Sequence, residues 1–424
     1  MRGVFTGDLH YGLSVEDLDR TPDVHKAVEF IVDEAIRMEA DFVSIGGDLT
    51  DNNTPLPDHL ALLISVLNRL EDAEIPTFVL RGNHEAVSAP NRRWALTPLE
   101  RVGYNNVHFI TEPKLIDYEG LQLLFLPHVT RSQAMEYGFK TAQEFIDAEA
   151  ERLVKEVNKT CTVISHYNVN GAKAGTEALM LRQTDLQLPG IVMRSPKVEQ
   201  IVNSHIHTAQ EKGKIIMPGS PVCTDFGDLE TAKGFLVGDY DDGWQFDVIN
   251  TPASPMQSIE IDLVGDSPEE IRKTIDKAKK TVVKDAIVKV RVTVEEDKVA
   301  FIDFEKLKQE FSKGGARFVK QIDRIVTRKR QVRDPKQKSA LSPTDAVKQY
   351  LNFRNPEGKD RKLSLAMRVL SGESLSLKDK GESIANQTAA IESLDDALVD
   401  LEDDGFGDPL FTGGLDSVGP SLEL

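Results

Sequence analysis

The chain has 424 residues, a net charge of −18 and an apolar fraction of 40%, enough for two or three domains with sizeable cores. No apolar run approaches the roughly 18 residues of a membrane span, and the apolar residues of Met1–His10 run straight into a polar motif instead of forming a signal-peptide core. Cys161 and Cys223 have no partner motif and read as reduced thiols, so the expected setting is a reducing cytoplasm, of a bacterium or an infected host, with no membrane partner.

In chain order, Val4–Phe5 reads as a strand. A helix is predicted from Thr21 as N-cap with Pro22 at the first helical position, burying Val24, Val28, Ile31, Ala35 and Ile36. Asp41–Ile45 (strand), His59–Ala73 (helix) and Thr77–Leu80 (strand) follow. Further strands are expected at Leu121–Leu126, Cys161–Ile164 and Gln200–Val202, with Gly213–Met217 and Gly234–Val237 closing a second sheet. This alternation implies a layered α/β fold over residues 1–255. Residues 256–330 read as a small α+β module: strand Ser258–Leu263, helix Pro268–Lys280, strand Ile287–Thr293, helix Phe304–Phe311, strand Ile322–Thr327. A basic linker and two short helices, from Ser342 and at Leu363–Leu370, occupy 331–372. Residues 373–424 are Gly-, Ser- and Asp-rich and read as disordered.

Charge is unevenly spread. From Ala390 onward Glu392, Asp395, Asp396, Asp400, Glu402, Asp403, Asp404, Asp408, Asp416 and Glu423 meet no Lys or Arg, whereas Lys313–Lys338 is strongly basic with only Asp323 and Asp334 opposed. A basic stripe and an acidic tail lie beneath the mean.

Five short motifs carry the chemistry: Gly7-Asp8-Leu9-His10, Gly46-Gly47-Asp48-Leu49-Thr50-Asp51, Gly82-Asn83-His84-Glu85, Ser165-His166 and Ser204-His205-Ile206-His207. Each lies at or near the end of an apolar run, where loops at the carboxyl ends of strands place functional groups. Imidazole, carboxylate and amide oxygen suit a pair of transition metals. Asp8-x-His10 and His205-x-His207 point their side chains the same way if those segments are extended. Each motif alone is weak, since a lone histidine is more often a cap or a satisfied core residue; all five together predict a metal centre. His25, His59, His108 and His128 lack such neighbours and read as helix-surface or loop residues, His128 alone standing at a strand end beside the cleft.

Here the chain resembles the calcineurin-like metallophosphoesterases, and more narrowly the SbcD-type double-strand-break repair nucleases, over roughly residues 1–372. Pro218-Gly219-Ser220-Pro221, Phe226-Gly227-Asp228 and Lys233-Gly234-Phe235 resemble the segment that closes that family's catalytic domain. The resemblance implies a two-sheet sandwich flanked by helices (1–255), a DNA-capping domain (256–330), ATPase-binding helices (331–372) and an acidic tail (373–424). By motif, Asp8, His10 and His207 would bind a first metal, Asp48 would bridge, and Asn83, His166 and His205 would complete a second. His84 would not be a ligand but would donate a proton to the leaving oxygen. The sequence departs from the family at Ser204, where glycine is usual, at Glu85, where the nucleases usually carry Asp, and at Asp51, near where many relatives have a second catalytic histidine.

The implied activity is a DNA exonuclease and endonuclease working with two divalent ions, manganese fitting best with iron and zinc open, beside an SbcC-type coiled-coil ATPase. A phosphatase or small-molecule phosphodiesterase on the same fold is the rival. Arg317, Lys320, Arg324, Arg328, Lys329 and Arg330 are expected to follow a duplex backbone. Tyr350, Leu351, Phe353, Leu363, Leu365, Met367 and Leu370 are expected to dock on the ATPase. The apolar breadth of His59–Ala73 suggests a homodimer.

Overall fold

The computed structural model describes residues 1–87, 94–173, 186–229, 233–264, 267–327, 343–354 and 358–370. The chain divides into two compact units, Met1–Lys329 and Arg330–Leu424. No helix among the described residues is long and apolar enough to cross a membrane.

The first 255 residues form two six-stranded sheets. One runs β14 (Trp244–Asn250), β13 (Gly234–Tyr240), β1 (Arg2–Thr6), β4 (Phe42–Ile45), β5 (Thr77–Leu80) and β6 (Val107–Ile110). The other runs β11 (Gln210–Lys212), β12 (Ile215–Met217), β10 (Val198–Ser204), β9 (Cys161–His166), β8 (Leu121–Leu126) and β7 (Lys114–Tyr118). A short hairpin, β2 (Ser14–Val15) and β3 (Leu18–Asp19), leaves the first motif loop. The inner faces meet through Phe5, Phe42, Phe78, Leu123, Phe125, Ile164 and Val202. The outer face of the first sheet is covered by α1 (Thr21–Arg37) and α2 (Pro57–Asp72), with α3 (Thr97–Glu100) beyond. That of the second is covered by α4 (Arg131–Glu136), α5 (Ala142–Glu156) and α6 (Gly190–Arg194). Strands buried on both faces are largely apolar, which is why β4, β5 and β8 are legible despite Ser44, Thr77 and Gln122.

Some local expectations shift. Thr21 is the first residue of α1, not its cap; the residue before it is Arg20, and the Asp19 carboxylate takes the Thr21 N–H at 2.8 Å. Edge strands β7 and β14 are half-polar, and α5, entered through a Thr141/Glu144 capping box, mixes charge into its apolar face. None of the three stands out by periodicity.

Residues 256–327 have their own core but share the first compact unit. β15 (Met256–Asp262), β16 (Ile287–Glu295), β17 (Phe318–Val319) and β18 (Asp323–Thr327) pair in parallel, with α7 (Pro268–Lys279) and α8 (Phe304–Lys313) in the crossovers. The expected α+β module is therefore built of parallel βαβ units, because each helix sits between paired strands. Val288, Val290, Val292 and Val294 of β16 are buried with Ile271, Leu307 and Phe311 of the helices. In the second unit, α9 (Pro343–Arg354) and α10 (Lys359–Leu370) pack together.

The module is fastened to the catalytic layers through Asp23 in the first turn of α1. One Asp23 oxygen accepts from Ser254 Oγ (2.7 Å) and Arg317 Nη1 (2.6 Å); the other accepts from Nε of the fully buried Arg20 (3.0 Å). Arg20 also donates to the Cys223 carbonyl at 2.7 Å. Burial alone would raise the Asp23 carboxyl, but the bonds from Ser254, Arg317 and Arg20 outweigh it and hold the group below its usual range.

Removing one partner of such a network leaves buried charge uncompensated. Asp23→Asn should cost about 3 kcal/mol in urea denaturation at neutral pH. A carboxyl depressed in the folded state stabilises above its unfolded value and loses that contribution as pH falls through the folded one. The gap between Asp23→Asn and the parent should therefore narrow below about pH 4.

Candidate metal centre

β1, β4 and β5 are parallel, as are β9 and β10. Their carboxyl ends deliver all five motifs to one edge of the sandwich, in the order the sequence predicts. The backbone there is not extended. Asp8, His10, Asp48 and His205 have φ of 52°, 55°, 51° and 84°, a left-handed region that costs non-glycine residues of order 1–3 kcal/mol each. The idea of alternating side chains on an extended segment is thus replaced: tight left-handed turns, not a pleat, aim Asp8, His10 and His205. Two glycines permit the loops to touch. A Cβ on Gly46 would strike the Ser204 hydroxyl, and one on Gly82 would strike the backbone nitrogen and carboxylate of Asp48. Ser204, the departure from the usual glycine, fills the space beside Gly46.

Three buried carboxylates lace these loops together. Both oxygens of Asp8 accept from His205 N at 3.0 Å, and Asp48 Oδ1 accepts from His84 N at 2.9 Å. Glu85 turns inward: Oε2 accepts from Gly82 N (2.9 Å) and Asp48 N (3.2 Å), and Oε1 from Thr50 N (2.9 Å). Its extra methylene over Asp lets one side chain span the second and third loops. Burial, aided by Asp48, pushes the Glu85 carboxyl up to about 7. Burial also raises Asp8. It works in the same sense on Asp48, but His166 and His84 prevail and hold that group well below the usual range.

The imidazoles are oriented from behind. His166 Nδ1 donates to the Gly46 carbonyl at 2.8 Å, His84 Nδ1 to the Asp51 carbonyl at 2.6 Å, and His207 Nδ1 lies 2.9 Å from Thr224 Oγ1. His10 Nδ1 stands 3.3 Å from Asp51 Oδ1. Each ring therefore presents Nε2 to the centre. His10 Nε2 and His207 Nε2 converge to 3.1 Å; His166 Nε2 faces Asn83 Oδ1 at 2.9 Å and Asp48 Oδ2 at 3.2 Å. Nitrogen lone pairs and carboxylate oxygens do not converge in a buried space without a cation between them. In the protein alone His166 supplies part of that charge: burial works to lower it, but the carboxylates, Asp48 first, carry it up to about 9.

The donors fall into groups that fit metal ions. Asp8, His10 and His207 form one, and Asp48, His166 and His205 another, with Asn83 beside the second. A third, His10, Asp48 and His84, shows how near His84 approaches the centre. Its Nε2 is 3.9 Å from Asp48 Oδ2 and its side chain is 35% exposed, whereas Asp48 is sealed. All eight predicted residues are thus brought together.

Several contributors carry no sequence signal beyond a polar residue beside a motif. Asn203, fully buried at the end of β10, accepts from Ser165 Oγ and Tyr167 N and donates to the Tyr167 carbonyl, tying the strand ends that carry His166 and His205. Asp51 contacts His10 with its carboxylate and His84 with its carbonyl, so it orients two histidines. His128, whose backbone N–H bonds the Arg81 carbonyl, is pushed down to about 3, first by burial and then by the charges of His166 and Arg81. Arg81 grips the His128 carbonyl through Nε and Nη2. His25, His59 and His108 lie apart, on α1, α2 and β6, the last in a strand and stacked on Phe78.

The residues expected on DNA are not all free for it. Arg317 is exposed but its Nη1 is bonded to Asp23 and Ser254. Arg324 is exposed and lies over the Phe304 ring, 4.0 Å from its centroid, while Lys320 is half-buried. Arg328, Lys329 and Arg330 lie outside the described residues, as does the tail from 371. On α9 and α10, Tyr350 and Leu370 are exposed, Leu351 is buried, and Leu363, Leu365 and Met367 are half-buried. Phe353 lies on α9, its side chain outside the described set.

A family model described as calcineurin-like phosphoesterase matches residues 1–209, a span that contains every one of these donors. That span, just under half of the chain, carries a calcineurin-like metallophosphoesterase domain. Solved structures similar to it include TT1561 of Thermus thermophilus (11% identity, 58% of this chain and 98% of that one, TM-score 0.38). A dimetal phosphatase from Danio rerio matches at 12% identity, over 58% and 98%, with TM-score 0.38. Yfce, a phosphoesterase from E. coli, matches at 16%, over 59% and 93%, with TM-score 0.28. The assignment rests on the sequence match and on the donor groups, which could hold two metal ions.

Glu85→Gln should expose how the loops are held. An amide cannot accept at both ends, so at least one backbone N–H would face an NH₂ group. A loss of about 1–3 kcal/mol in chemical denaturation is expected, together with weakened metal uptake by calorimetry.

Proposed function

We propose that this protein is a manganese-dependent DNA nuclease subunit, with exonuclease and endonuclease activity, that processes ends in double-strand-break repair beside an SbcC-type coiled-coil ATPase. The observation that carries the reading is the pair of donor groups, linked by a third made of His10, Asp48 and His84, with His84 turned towards the Asp48 carboxylate. Asp8, His10 and His207 would hold one ion, Asn83, His166 and His205 the other, and Asp48 both. Bound there, divalent ions neutralise phosphate charge and make water a competent nucleophile near neutral pH. The mixture of imidazole, carboxylate and amide donors suits manganese. His84, its Nδ1 engaged by the Asp51 carbonyl, keeps Nε2 for the leaving oxygen of the phosphodiester.

DNA is favoured over a small phosphoester by what lies beyond the matched 209 residues. The basic run through Lys320, Arg324, Arg328, Lys329 and Arg330 suits a phosphate backbone, and Arg324 is already exposed. The apolar residues of α9 and α10 suit a helical partner. A homodimer through α2 draws on Leu60, Leu62 and Ile64, which are only half-buried against their own core. The rival reading, a phosphatase or small-molecule phosphodiesterase, is favoured by Glu85 in place of Asp and by the overall acidity. Glu85 is engaged by three backbone amides, a holding role that favours neither substrate.

Cleavage of a linear duplex with manganese, measured against hydrolysis of a phosphomonoester, tests the proposal; preference for the phosphomonoester would overturn it. Within that assay His84→Ala should keep both metals and DNA affinity while losing about 10²–10⁴-fold in rate. Asp48→Ala should lose metal and activity together. Metal analysis of the two purified variants separates these outcomes.

Neutralising Arg328, Lys329 and Arg330 together should weaken duplex binding uniformly across sequences. It should also flatten the salt dependence by roughly one unit for each phosphate that is no longer neutralised, read by binding titrations at several salt concentrations.

A further inference from the structure

Of the four histidines at the centre with an Nδ1 neighbour, three borrow it from the second motif loop: His10 and His84 from Asp51, His166 from Gly46. His207 does not. Its Nδ1 meets Thr224 Oγ1 at 2.9 Å, and Thr224 Oγ1 donates to Asp228 Oδ2 at 2.6 Å. Asp228 is fully buried, and its carboxylate lies 3.5 Å from Nζ of the nearly buried Lys233. Lys233 also donates to the His207 carbonyl at 2.9 Å and to Ser220 Oγ at 3.1 Å. The segment Pro218–Phe235, outside the matched 1–209, thus grips both the ring and the backbone of one residue of the metal centre.

We infer that Thr224 and Asp228 are positioning residues that fix the tautomer of His207 and so set the strength of one metal site. The argument is one of proton counting. A threonine hydroxyl has a single proton, and here it is given to the Asp228 carboxylate. Its oxygen can then only accept, so His207 must carry its proton on Nδ1. Nε2 is left as a lone pair, on the side where it meets His10 Nε2 and lies 4.0 Å from Asp8 Oδ1. Lys233 makes the arrangement tenable by keeping Asp228 charged and paired inside the protein. Outer partners of this kind raise ligand basicity, and their loss costs about 10–100-fold in metal affinity. The inference rests on the dimetal reading of the site, but the tautomer itself does not require a metal.

The test uses the full chain. Thr224→Val keeps the shape and removes the hydroxyl; Thr224→Ser restores it. Asp228→Asn can turn an NH₂ towards Thr224, which reverses the chain and lets the hydroxyl donate to His207 Nδ1. Imidazole ¹⁵N spectra of the metal-free protein, with His207 assigned from His207→Gln, should show the Nδ1–H form in the parent and in Thr224→Ser. A mixture is expected in Thr224→Val, and a shift towards Nε2–H in Asp228→Asn. Calorimetry with Mn²⁺ should show one of two equivalents weakened about 10–100-fold in Thr224→Val and recovered in Thr224→Ser. An unchanged tautomer in Thr224→Val and Asp228→Asn, with both equivalents binding as in the parent, would overturn the inference; should one variant not fold, the other decides. If the parent takes up no divalent metal, the dimetal reading fails, and the ¹⁵N comparison still judges the relay.

Discussion

The site depends on one electrostatic constraint: Asp8 and Asp48 are buried together, and the groups around them are nearly all acceptors or can become so. Two carboxylates sealed from water repel, and each must be met by donors or cations. The fold meets part of the demand with backbone N–H groups of His205 and His84. It leaves the remainder to imidazoles whose Nε2 atoms are turned inward by hydrogen bonds on the far side of each ring. A site so arranged is a cation trap before any ion arrives, because its ligands are held in place by protein contacts and not by the metal.

That preorganisation carries strain, which explains the local conformation. Four residues of the centre occupy left-handed backbone conformations, and each would relax elsewhere if the loops were free. They are not free. Gly82 lets its loop lie against Asp48, Glu85 bonds the second loop to the third, and Asn203 ties the ends of β9 and β10. The strain is held by two mixed sheets whose apolar inner faces fix the spacing of the strand ends.

The legible part of this structure is the part where chemistry and period coincide. Asp8, His10, Asp48, Asn83, His84, His166, His205 and His207 can be found because unusual residue types recur at the ends of apolar runs. β5 and β8 are legible to the residue because strands buried on both faces admit few polar side chains. The supporting residues are illegible for the opposite reason. Thr224 and Asp51 in loops, and Asn203 at the end of a strand, are ordinary polar residues whose role exists only once distant segments meet, Thr224 reaching His207 across 17 positions. The tie of Arg317 to Asp23 is hidden likewise, because charge alone does not tell which partner an arginine takes. The parallel order of the small module is hidden too, since strand–helix alternation fixes the elements but not which strand pairs with which.

How the small module is joined bears on what it could do for the site. Its ties run to the stretch that begins at the first motif: Leu13 N bonds the His10 carbonyl, and Arg20 N bonds the Leu13 carbonyl. The hairpin between them sends Glu16 to Gln321 N, and the turn after it sends Asp23 to Arg317. A few hydrogen-bonded steps therefore separate a residue of the metal centre from the module's last strands. This is rigid continuity and needs no switch between states. The Asp23–Arg317 tie resists hinge motion, since opening it would take from the buried Asp23 carboxylate one of its partners. A substrate lying against the module would be held in register with His10 and, through Asp51, with His84. Such registration is a large part of what an active site supplies, because aligned groups gain their advantage from restricted freedom and not from extra binding surface.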